Sequence, residues 1–115
     1  MLYTRDATIT TTDLTTILTV PSGYVAHWNL LFISNHGGST NSITVYIDKS
    51  AGTDLYIIDG KNLSSKDFIQ FSDGIFVLQP GDSIKAQIGA SGNFGVACTI
   101  DLLEAPSVFN AFNGG

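Results

Sequence analysis

The sequence predicts an all-β fold, an antiparallel β-sandwich or barrel with about eight strands and a short C-terminal tail. Three observations carry this. Short runs rich in Val, Ile, Thr, Tyr and Phe recur at roughly ten-residue spacing. Gly, Pro, Asp and Asn separate them, the residues that supply turn conformations. No stretch repeats its apolar residues with the 3.6-residue period of an amphipathic helix.

Residues 8–12 and 14–20 are dense in β-branched side chains, which suit a pleated strand and disfavour a helix. Pro21 and Gly23 mark a turn into the strand 25–34, and the polar residues 35–41 end it. Residues 42–48 alternate cleanly, with Ile43, Val45 and Ile47 on one face and Thr44, Tyr46 and Asp48 on the other. A hairpin is expected around 48–63, with a strand at 54–58 and Asp59-Gly60 as a turn pair. Strands at 67–71, 74–78, 83–88 and 94–102 follow, separated by turns around Asp73, at 79–82 and at 91–93. One domain over 1–105 and a docking tail over 106–115 is the expected organisation, since Pro106 begins a segment without alternation.

Residues 25–34 are apolar on both faces. Alternation places Trp28, Leu30 and Phe32 on one face, expected by volume to fill the core. Leu31 and Ile33 fall on the other with His27 and Asn29, a mixed face expected to meet a second element or subunit. The tail carries Phe109 and Phe112, which a purely solvated segment seldom does, so both are expected to dock on this chain or a neighbour. Trp28, Leu30, Leu31, Phe32, Ile33, Phe109 and Phe112 are therefore the candidate interface residues.

A chain of 115 residues suits one domain and can bury a core without disulfides or metal. Ten acidic against five basic residues give a net charge of −5, which repels phosphate backbones. The cations are scattered and no apolar run approaches the roughly 20 residues that span a bilayer. No nucleic-acid or membrane partner is expected. The opening residues lack the charged start and apolar stretch of a secretory signal. Only 13% of residues are charged, so much of the surface is small and polar or lies against partners. Cys98, the single cysteine, alternates with Phe94, Val96, Ile100 and Leu102 and reads as a buried structural thiol.

Catalytic equipment is sparse. The one Gly-Ala-Ser-Gly string, 89–92, lies in an expected turn rather than a strand-to-helix elbow. His27 and His36 form no local metal pair. Asp59, Asp73 and Asp82 each adjoin glycine, where Asp stabilises turns through its own backbone. No catalytic residue, cofactor or metal ligand is assigned. A glycan-binding reading draws on Tyr46 and Tyr56 with Asn35, His36 and Asn41, because aromatic faces stack on sugars and amides bond their hydroxyls.

Three strings carry a resemblance: residues 19–26 (TVPSGYVA), 31–47 (LFISNHGGSTNSITVYI) and 76–87 (FVLQPGDSIKAQ). In this order they resemble small virion proteins of tailed bacteriophages, over about residues 14–102. The resemblance implies a non-enzymatic subunit built as an antiparallel β-sandwich, jelly-roll-like, and present in many symmetric copies, such as a capsid decoration protein, a head–tail or tail accessory, or a fibre-base adaptor. It implies location in the virion after synthesis in the host cytoplasm, with copies of itself, a trimer by analogy, and other virion proteins as partners. It carries no catalytic residues. A carbohydrate- or receptor-binding module of a tail fibre is the alternative.

Overall fold

The computed structural model describes residues 1–72, 74 and 76–104. Nine strands form among them: β1 (Leu2–Ile9), β2 (Thr15–Thr19), β3 (Tyr24–Asn35), β4 (Asn41–Asp48), β5 (Asp54–Leu63), β6 (Phe68–Phe71), β7 (Phe76–Leu78), β8 (Ser83–Ile88) and β9 (Phe94–Glu104). They build two antiparallel sheets. The first runs β1-β9-β3-β6 with β7 also on β3, and the second runs β2-β8-β4-β5. Because β6 pairs with the later half of β3 and β7 with the earlier half, the two act as one interrupted strand. The order is then that of a jelly roll, as the resemblance implied.

The core lies between the sheets. β4 contributes Ile43, Val45 and Ile47 and β9 contributes Phe94, Val96, Cys98 and Ile100, all buried, in the alternation read from the sequence. β3 departs from it. Ala26 and Trp28 point inward, but so do Leu31, Ile33 and Asn35, and the pairing with β9 shifts register between Trp28 and Leu30. Asn29 is an inserted bulge residue. One extra residue reverses the facing of every side chain beyond it. Trp28 fastens the bulge, its indole N–H donating to the Leu30 carbonyl at 2.9 Å. Trp28, Leu31 and Ile33 thus share the core, while Leu30 and Phe32 lie half-buried on the outer face, correcting the expected division of this strand.

Two other expectations change. The first strand is Leu2–Ile9, not 8–12, and it pairs with β9 along its full length, from Leu2 opposite Asp101 to Ile9 opposite Phe94. That non-local pairing supplies what its mixed composition does not announce. β5 continues through Asp59-Gly60, where Gly60 adopts a φ of 64° and donates its N–H to Thr44 Oγ1 at 2.9 Å. The register against β4 slips on both sides of Val45, so this pair makes an irregularity within the strand rather than a turn.

One end of the sandwich is braced by the turn at 79–82. Buried Asp82 accepts the N–H groups of Ser50 and Gln79, each at 2.9 Å, with Lys49 Nζ at 3.5 Å. Burial alone would raise its pKa, but the two amides and Lys49 outweigh that and hold the carboxyl below its ordinary value. The Val20 N–H donates to the Asp82 carbonyl and the Gly81 N–H to the Val20 carbonyl, both at 2.9 Å. Gly81 has a φ of 87°, and a Cβ there would approach Ser50 Cβ to 3.0 Å, which accounts for glycine before this aspartate.

Candidate functional site

Residues directly opposite in an antiparallel pair point to the same face, so the register defines what the first sheet shows to solvent. Val25 faces out beside Leu103, His27 beside Val77 and Asp101, Leu30 beside Thr99, and Phe32 beside Ala97 and Gln70. Phe68, opposite Ser34, stacks on Phe32 with ring centroids 5.6 Å apart and 29° between planes. Val25, Leu103, Val77, Leu30, Phe32 and Phe68 form an apolar band along β3, broken by His27, Asp101 and Gln70. Phe68 is 57% exposed and Val77 51%. Single exposed apolar residues are ordinary, whereas large exposed apolar patches rimmed by polar residues are characteristic of interaction surfaces.

Two hollows open along this band. One, of about 240 Å³, lies at the β3 bulge among His27, Asn29, Gly74, Phe76 and Val77. The other, of about 300 Å³, is lined by Asp6, Thr8, Phe32, Gly95 and Ala97, where the small residues of β9 leave room beside the Phe32 ring.

The second sheet presents a polar outer face. Tyr46 and Tyr56 stack across β4 and β5 with centroids 5.0 Å apart and 26° between planes. Lys85 Nζ meets Asp48 Oδ2 at 2.7 Å, and that bond raises the Lys85 pKa. Burial, then the Asp54 charge, raises that of the Tyr46 phenol. At neutral pH the face therefore carries a neutral phenol beside an ion pair.

The candidate residues separate accordingly. Trp28, Leu31 and Ile33 are wholly covered within the chain and offer a partner no surface. Leu30 and Phe32 are on the outer band; Phe109 and Phe112 lie outside the described residues. Asn35 is buried, its amide donating to the Ser39 and Leu63 carbonyls and its oxygen accepting from the Gly37 N–H, each at 2.9 Å. That side chain ties the end of β3 to the end of β5 and, being buried, is out of a ligand's reach. His36 is exposed on the adjoining loop. Tyr46 lies five strand positions beyond Asn41, roughly 17 Å away, so the tyrosines and the Asn35 loop do not converge. Sequence reasoning missed Phe68, Val77 and Leu103. The unbroken Phe76-Val77-Leu78 run was a signal, since one apolar member of such a strand must face outward.

A cleft of about 610 Å³ lies at the open edge between β1 and β2, lined by Tyr3, Arg5, Leu18, Pro21 and Leu102 among others. Among its lining residues no carboxylate, histidine or cysteine supplies an acid, a base or a nucleophile. Among the described residues no three His, Cys, Asp or Glu side chains cluster as metal ligands.

No protein-family model and no curated protein matches the sequence. Solved structures align with this chain. A chain of the acidic stable capsid structure of Helicobacter pylori bacteriophage KHP30 aligns with a TM-score of 0.57 at 11% identity, over 91% of this chain and 93% of that one. The modules of Clostridium thermocellum endo-1,4-β-D-xylanase 10B complexed with xylohexaose align at 0.44 and 8% identity, over 91% of this chain and 25% of that one. At 11% identity, the likeness to the capsid chain is one of fold, over nearly the whole length of both chains.

Proposed function

We propose that this chain is a non-enzymatic structural subunit of a tailed-phage virion, acting by symmetric self-association and docking on the particle as a capsid decoration or a head–tail or tail accessory. The observation that carries the reading is the apolar band on the first sheet, built from Leu30, Phe32, Phe68, Val77 and Leu103 on a chain with few charges. The fold shared with a phage capsid chain supports it. Aromatic anchors such as the Phe32–Phe68 pair dominate the energy of stable interfaces, which bury about 800 Å² per partner. Sedimentation velocity of the purified chain at micromolar concentration tests self-association. A closed oligomer, a trimer by analogy with other virion decoration proteins, is expected, and a monomer throughout overturns it. Antibody labelling of intact particles tests location, with label on neither capsid nor tail as the refuting result.

The stacked Tyr46–Tyr56 pair beside the Asp48–Lys85 ion pair favours a second reading, a carbohydrate- or receptor-binding module of a tail fibre. Binding on a glycan array that disappears in Tyr56→Ala supports it. A blank array removes it.

A further inference from the structure

We propose that the two edges of the first sheet pair with each other in neighbouring copies, β1 of one chain against β6 of the next, so that the sheet runs on from copy to copy around a ring. This rests on the self-association reading and names the contact that makes it. β1 and β6 end the β1-β9-β3-β6 path, and each pairs with its inner neighbour in unbroken register. Both edges of the second sheet, β2 and β5, carry register shifts instead. A bulge twists an edge away from further pairing, so the first sheet is the one whose edges are fit to be extended.

Direction, facing and hydrogen-bonding phase agree. Three antiparallel steps separate β1 from β6, so a copy set alongside in the same orientation brings its β1 antiparallel to β6 with the core sides aligned. Leu102 donates its N–H to the Met1 carbonyl, which assigns Tyr3 and Arg5 to bonds with β9 and leaves the main-chain groups of Leu2 and Thr4 pointing off the sheet. Asn35 donates to the Asp67 carbonyl, which in the same way leaves those of Phe68 and Gln70 pointing off the opposite edge. Setting Thr4 opposite Phe68 and Leu2 opposite Gln70 joins these groups. The same register places Tyr3 opposite Ile69, an aromatic–β-branched pair of the kind that stabilises adjacent strands, and Arg5 opposite Asp67, both on the core side. Among the described residues neither Arg5 nor Asp67 makes an ion pair. Arg5 lies over the Tyr3 ring, 5.6 Å from its centroid, in the cleft between β1 and β2. In the single chain the Phe68 N–H donates to Asp67 Oδ1 at 2.8 Å; pairing gives that N–H the Thr4 carbonyl and releases the carboxylate to Arg5. The contact is heterologous, so a closing rotation gives a ring, and the apolar band on the outer face stays uncovered for docking on the particle.

Sedimentation velocity of the full chain tests this. Thr4→Pro removes an N–H that points off the sheet and keeps the bonds to β9, so the variant is expected to unfold cooperatively in urea like wild type and to sediment as a monomer. Arg5→Asp and Asp67→Arg each set like charges against one another across the contact and are each expected to weaken association by about tenfold or more, whereas the double variant restores the pair and the oligomer. A folded Thr4→Pro that oligomerises like wild type overturns this contact and leaves self-association standing. A double variant as weak as the single ones also overturns it, and decides the matter should the proline disturb folding. A wild-type chain that is itself monomeric removes both the contact and the reading beneath it.

Discussion

Asp82 offers the sharpest test of how the sandwich is held together. Asp82→Ala removes the acceptor of two amide bonds at 2.9 Å, from Ser50 and Gln79, and the partner of Lys49. A hydrogen bond to a charged group contributes about 1.5 kcal/mol at the low end, so the alanine variant should lose about 3 kcal/mol. Asp82→Asn keeps one carbonyl oxygen and should lose about half as much. Urea unfolding with linear extrapolation measures both. The pH dependence separates charge from shape. The folded carboxyl lies below its ordinary value, so its contribution is fully present above the unfolded pKa of about 3.9 and is lost as pH falls through the folded pKa. The gap between wild type and Asp82→Asn should therefore be full at neutral pH and narrow steadily in acid below pH 4. A gap that is unchanged between neutral pH and strong acid, or an alanine variant within about 0.5 kcal/mol of wild type, refutes the reasoning.

Trp28→Phe removes the indole bond to Leu30 and opens space in the core, and should cost about 2–3 kcal/mol in denaturant titration. The single tryptophan should emit in the blue when folded and shift red on unfolding. Deleting Asn29 should leave Trp28 opposite Ile100 and Leu30 opposite Thr99 on a regular strand, so Leu31 and Ile33 should stay inside and cooperative unfolding in urea should survive, whereas a second residue inserted after Asn29 should turn them out and abolish it; the opposite pattern would contradict the bulge. Cys98 is fully buried and its thiol is pushed up to about 12, so a thiol reagent should modify it only as the chain unfolds. Tyr56→Ala should lose about 1 kcal/mol through the stack on Tyr46, read from the unfolding midpoint.

β4 and β9 were legible because each has one face in the core and one outside, so period-two alternation names their buried residues directly. β3 was not, because it is apolar on both sides. When either face would serve as core, alternation gives the pairs but not the phase, and the bulge at Asn29 changes the phase midway. The same insertion moved Leu30 and Phe32 outward, and with them the centre of the candidate surface. Asn35 and Tyr46 seemed related by chemistry, yet one is consumed in joining strand ends and the other stands on the opposite sheet.

The sequence by itself determined the all-β class, the turns at 21–23 and 79–82, the buried thiol and an excess of apolar residues over one core. Those follow from local preferences and from composition. Only the tertiary structure decided where β1 pairs, which face of β3 is inside, and that Phe68, Val77 and Leu103 join Leu30 and Phe32 on one surface. Strand pairing over long sequence separations and a one-residue register slip leave almost no local trace, because they are fixed by the partner strand rather than by the residues that undergo them.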